Sequence, residues 1–257
     1  MLRAGRFNDP QPRVSHILTA MPLRRFQTTR WTLVLAAAGA KGPDAEAALA
    51  SLCEIYWPPV YAFIRRSGHD VDAARDLTQA FFVRVLEKNY FGDARRERGR
   101  FRTFLLTSVR NFLSNQRDWE TAKKRGGGVL PISLEQQDGE RVYQLEAVEH
   151  TTPEHLFQRR WALTVIGAAM NRIRTRYETG GRADLYARLK PYLTGAEPQS
   201  YAELAHGLAV SEGSLRVAVH RLRRQFAAAL REVIAETVAE PGEVDEELQY
   251  LLGVVSA

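Results

Sequence analysis

The chain has 257 residues, with 36 Lys and Arg against 30 Asp and Glu, for a net charge of +6. Hydrophobic and charged fractions of 45% and 26% are ordinary for a folded, water-soluble protein and exclude global disorder. A single cysteine excludes an internal disulfide and a cysteine-rich zinc site, and the longest uncharged apolar run, Leu33 to Ala40, is too short to span a bilayer.

The charge is unevenly placed. Ten basic residues lie between Arg95 and Arg125 against three acids, and Arg216, Arg221, Arg223 and Arg224 form a second, acid-free cluster. From Glu232 to Glu247 the sign reverses, with seven acids and no base. Two basic blocks predict polyanion contact at two places.

In chain order, residues 1–43 read as a basic, partly disordered leader, in which Met21 offers a second start. From Asp44, the positions Leu49, Leu52, Cys53, Tyr56, Val60, Phe63 and Ile64 recur at intervals of three and four, predicting a helix. Pro58 and Pro59 are expected to kink or break it. Cys53 falls on its apolar stripe as a small buried hydrophobe. Gly68-His69-Asp70 reads as a turn, and Asp72 as the N-cap of a second helix over residues 73–88. At about 100° per residue, Leu77, Phe81, Val85, Phe82, Leu86 and Val83 sweep about 240° of that helix, so two burial partners are expected. They are either two faces of its own domain or one face and another protein.

A third helix, over residues 101–119, interleaves Arg102, Arg110 and Arg117 with Phe101, Phe104 and Phe112, and Gly126-Gly127-Gly128 closes the region. Residues 126–151 lack sustained periodicity and read as a linker. Thr152 caps a fourth helix, with Pro153 at the permitted first position, that runs to Gly180-Gly181. A shorter helix over residues 182–193 has an end made irregular by Pro191.

Residues 200–230 carry the most informative pattern. Tyr201, Leu204, Ala205 and Leu208 form a short helix, Ala209-Val210 a tight turn, and Ser211 the cap of the next helix. In that helix Leu215, Val219, Leu222, Phe226 and Leu230 share one side, while Arg216, Val217, His220, Arg221, Arg223 and Arg224 share the other. The spacing from Ala205 to Leu215 is that of a helix-turn-helix, whose second helix can enter the major groove. The plainer alternative is a helical hairpin with a solvated charged face.

In order and spacing these segments resemble the sigma-70 family, specifically the extracytoplasmic-function sigma factors of bacterial RNA polymerase. The run Asp72-Ala-Ala-Arg-Asp76-Leu-Thr-Gln79-Ala-Phe-Phe82 is similar to the motif that docks on the polymerase clamp helices. Gly99-Arg-Phe-Arg-Thr-Phe104-Leu through Arg110-Asn111 resembles the segment that melts and reads the minus-ten element. Tyr201-Ala-Glu-Leu-Ala205 and Ser214-Leu-Arg216 through His220-Arg221 resemble the minus-thirty-five reader. The chain departs from the family at Ala80, where an acid is common, at Phe104, where Trp is common, and at Ala209, which replaces a turn glycine. The last change is tolerable if the turn avoids positive φ.

The resemblance implies an all-α chain of two small helical domains, a region-two bundle at 44–125 and a region-four helix-turn-helix at 152–237, joined by a flexible linker and followed by an acidic tail at 238–257. It implies core-polymerase binding through Asp76, Gln79, Phe82, Val83 and Leu86. Minus-ten contacts fall to Arg98, Arg100, Phe101, Arg102, Phe104, Arg110, Asn111, Asn115, Arg117 and Trp119. Minus-thirty-five contacts fall to Ser214, Arg216, Val217, His220, Arg221 and Arg224. Partners are core RNA polymerase, promoter DNA and, as a regulator, an anti-sigma factor; the location is cytoplasmic, with no membrane contact.

Unstacked bases can be captured by aromatic side chains in a cationic groove, with no catalysis by the chain and no cofactor. The runner-up is a stand-alone helix-turn-helix regulator. A nuclease would need clustered acids or histidines for metal; Asp72 and Asp76 are better read as cap and docking residues, and the six histidines are scattered. The acidic run is read as a solvated extension, with a DNA-mimicking autoinhibitory tail as the alternative.

Overall fold

A computed structural model describes residues 43–87, 100–122, 151–194, 200–238 and 240–256. Among them every regular element is helical, as expected. The leader, most of the linker and Arg98 lie outside the described residues, as do the side chains of Leu86, Arg117 and Trp119.

The elements are α1 (Pro43–Arg66), α2 (Val71–Glu87), α3 (Phe101–Ala122), α4 (Pro153–Thr179), α5 (Ala183–Leu189), α6 (Pro191–Thr194), α7 (Tyr201–Gly207), α8 (Glu212–Ala235) and α9 (Glu243–Ser256). Helix α1 runs through Pro58 and Pro59 without a break, which leaves a kink as the remaining expectation. The prolines remove the N–H donors for the carbonyls of Glu54 and Ile55, and packing offsets that loss: Tyr56, Val60 and Ile64 are wholly buried. Helix α2 starts earlier than expected, and its N-cap is Asp70, not Asp72. Asp70 Oδ1 accepts the Ala73 N–H at 2.8 Å, whereas Asp72 sits in the first turn, 3.7 Å from Arg75. Thr152 caps α4 as expected, its Oγ1 accepting from the His155 N–H. Pro191 divides the shorter helix into α5 and α6.

The chain forms two compact units. One lies within Phe26–Ala168 and Val233–Ala257, while Ala169–Glu232 belong to the other. The division falls inside α4 and α8 instead of in the 126–151 segment. Apolar residues on the first half of α4 explain its membership. Leu156, Phe157 and Trp161 are wholly buried; Trp161 Nε1 donates to Tyr56 Oη at 3.1 Å, and Phe157 meets Phe63 edge to face.

That first unit has an aromatic core. Tyr56 packs edge-on against Phe101 at 4.8 Å between centroids, and Phe81 similarly against Phe112 at 5.6 Å. Burial raises the Tyr56 phenol well above its ordinary pKa, and the nearby Glu247 carboxylate pushes in the same direction.

The acidic run does not end as a solvated extension. Thr237 and Val238 are buried, and α9 inserts Val244, Glu247, Leu248 and Leu251 into the same unit. Their spacing of three and four makes one face of a helix, which the preceding acids obscure in the sequence.

In the second unit, Tyr186 Oη donates to the Met170 carbonyl at 3.2 Å, and the Tyr177 and Tyr186 rings lie 5.6 Å apart. Arg176 pairs with Glu232 at 2.7 Å. Leu204, Ala205, Leu215, Val219 and Leu222 are buried.

Candidate nucleic-acid interface

In the second unit the helix-turn-helix is built by local hydrogen bonds. Ser200 caps α7 in a reciprocal box: its hydroxyl accepts from the Glu203 N–H, and the Glu203 carboxylate accepts from the Ser200 N–H. The Ser200 hydroxyl, which also donates to the Glu203 carboxylate at 2.8 Å, and the Ser200 N–H hold that carboxyl below its usual pKa. The turn returns the chain by a Schellman arrangement, in which the Val210 N–H donates to the Ala205 carbonyl and the Ala209 N–H to the His206 carbonyl. Ala209 has φ 53°, in the left-handed region, so the glycine replacement does carry backbone strain. Ser211 then caps α8, accepting from the Ser214 N–H at 3.1 Å.

Helix α8 divides into the two sides expected. Leu215, Val219, Leu222 and Phe226 are buried, while Ser214, Arg216, Val217, His220, Arg221 and Arg224 are exposed. Val217 is 58% exposed, an apolar side chain among cations. The Arg216 guanidinium lies over the Tyr201 ring, 4.8 Å from its centroid, and 3.9 Å from Glu212. Arg223 departs from the basic set: it is half-buried and donates to the Tyr192 carbonyl at 3.3 Å.

The expected minus-ten residues in the first unit are placed differently. Phe101 is wholly buried and Phe104 is 8% exposed, their rings stacked at 6.1 Å in the core. Arg102, also buried, sets its guanidinium against Glu247 with Nε–Oε1 2.9 Å and Nη2–Oε2 3.2 Å. The faces of that guanidinium meet Tyr250 at 3.9 Å and Trp161 at 5.0 Å from the ring centroids. Burial opposes the Arg102 charge, but the Glu247 hydrogen bonds and field outweigh it and raise its pKa. Arg100 reaches Glu246 at 2.6 Å and Glu247 at 3.0 Å. Arg110 is exposed and pairs with Glu154 at 2.7 Å. Burial works to raise the Glu154 pKa, and the Arg110 hydrogen bond more than reverses it. Asn111 and Asn115 are exposed.

Of the residues expected to meet polymerase, Asp76 is exposed and Gln79 and Val83 are half-buried. Phe82 is buried and stacks on Trp57 at 5.5 Å. The wide apolar arc of α2 therefore finds much of its cover inside its own unit, with Leu77, Phe81, Phe82 and Val85 all buried.

Glu246, Glu247 and Tyr250 are the residues that sequence reasoning missed. The available signal was the apolar spacing of Val244, Leu248 and Leu251 immediately around them. No described helix is long and apolar enough to cross a membrane, and no described group of His, Cys, Asp and Glu could hold a metal ion. Comparison with protein-family models, with curated proteins and with solved structures gives no match.

Proposed function

We propose that this chain is an extracytoplasmic-function sigma factor, which binds core RNA polymerase, directs it to specific promoters and assists promoter melting. The observation that carries the proposal is the exposed set Arg216, Val217, His220, Arg221 and Arg224 on the second helix of a capped helix-turn-helix. Arginines there can bond phosphates and guanine edges, and an exposed valine suits a thymine methyl. The order of motifs supports it further, with the Asp72–Phe82 segment preceding the arginine-rich α3 and the helix-turn-helix coming last. Asp76, Gln79 and Val83 would contact polymerase, and Arg110, Asn111 and Asn115 the minus-ten region. Catalysis belongs to the polymerase, and the work is cytoplasmic.

The test is transcription from a promoter library with purified core polymerase, with and without the chain. Promoter-specific transcripts that require both proteins are the expected result. Their absence, with an inhibitory partner excluded, overturns the assignment. Tight, sequence-specific duplex binding by the chain alone would instead identify a stand-alone regulator.

A further inference from the structure

The first unit holds Arg100, just ahead of α3, and Arg102, in its first turn, in a way that imitates nucleic acid. An Arg guanidinium binds phosphate through its planar edge and stacks on bases through its face. At Arg102 a carboxylate occupies the edge and Tyr250 the face, 3.9 Å from the ring centroid. At Arg100 two carboxylates, Glu246 and Glu247, occupy the guanidinium. All the acids come from α9, a helix with no basic residue. The backbone adds a further contact, the Phe101 N–H donating to the Thr237 carbonyl at 3.2 Å just ahead of that helix. A short connection keeps the acids at high effective concentration over the arginines.

From this juxtaposition we infer that α9 is an intramolecular competitor for nucleic acid, its Glu246 and Glu247 occupying Arg100 and Arg102 until single-stranded DNA displaces them. The inference rests on the proposed function, which gives Arg110, Asn111 and Asn115 of α3 to the minus-ten region, and it extends that contact to Arg100 and Arg102 once α9 has left. It explains why a chain with a concentrated basic block carries an acidic helix that turns inward. While α9 is docked, Arg102 is sealed from solvent and Arg100 is engaged. Free chain would then bind DNA weakly, and the two arginines would become available when α9 leaves.

The test compares full-length wild type with Glu246→Gln/Glu247→Gln for binding a fluorescent single-stranded oligonucleotide across a salt series. Each arginine released to a phosphate steepens the dependence of log K on log salt by about 0.7, so the double variant should steepen it by about 1.4. Adding Arg100→Gln and Arg102→Gln should abolish that gain. Because the variant can disturb folding, the unmodified chain supplies a second measurement. Hydrogen exchange across residues 243–256 should rise when the oligonucleotide binds, and unchanged exchange in the bound state overturns the inference. If wild type directs promoter-specific transcription while the variant's salt slope is unchanged, the competitor role fails and the sigma assignment stands. If no transcript forms and neither protein binds the oligonucleotide, the assignment itself fails and the inference falls with it.

Discussion

Ala209→Gly should stabilise the helix-turn-helix. The alanine sits at the left-handed position of the turn with φ 53°, where the side chain crowds the following carbonyl. That conformation costs an L-residue roughly 1–2 kcal/mol, and glycine removes the cost. Glycine also loses more backbone entropy on folding, roughly 0.5–1 kcal/mol relative to alanine. The difference spans about 0–1.5 kcal/mol, with a midpoint of about 0.75 kcal/mol, because the Schellman hydrogen bonds of Ala209 and Val210 use only backbone atoms and survive the change. For a unit of this size such a gain raises Tm by about 2–8 °C. Thermal melts followed by far-UV circular dichroism would measure the shift, with exchange of the Val210 amide reporting the turn locally. The valine variant at the same position should destabilise, since a β-branched side chain fits the left-handed region worse than alanine. A destabilising glycine would refute the argument, since relief of the positive φ would then be smaller than the backbone entropy that glycine loses.

Asp70→Ala should cost about 1 kcal/mol in chemical denaturation by removing the α2 cap, whereas Asp72→Ala should change stability by less than about 0.5 kcal/mol. Tyr56 makes stability fall at high pH. Its pKa is raised in the folded chain, so the unfolded chain releases the phenolic proton first, and stability declines as pH climbs past the ordinary phenol value of 10.0. Tyr56→Phe should flatten that alkaline limb in a pH series of denaturation curves. Arg216→Ala, at an exposed side chain, should leave Tm and polymerase binding near wild type. It should lower transcription from promoters that need the minus-thirty-five element by about tenfold, the loss of one base-reading contact. Loss of polymerase binding as well would show that the two contacts are not divided between the units as proposed.

Helix positions were legible from the sequence because helical periodicity is a local property, set by side chains three and four residues apart. The stop at Gly180-Gly181, the caps at Thr152 and Ser211 and the split of α8 into an apolar and a basic side all follow from such spacing. Boundaries slipped where two local signals competed: Asp70 and Asp72 are both good caps, and only the N–H geometry of Ala73 selects Asp70. Prolines 58 and 59 do not break α1, since burial of the surrounding stripe outweighs the local loss of donors. What only the tertiary structure decided are pairings distant in sequence. Trp161 with Tyr56 assigns half of α4 to the first unit, and Glu247 with Arg102 converts the acidic run from a solvated tail into a docked helix. The charge pattern states that acids and arginines exist in blocks. Burial decides whether an arginine meets solvent or a carboxylate of its own chain, because a guanidinium taken out of water must find a counter-charge within reach.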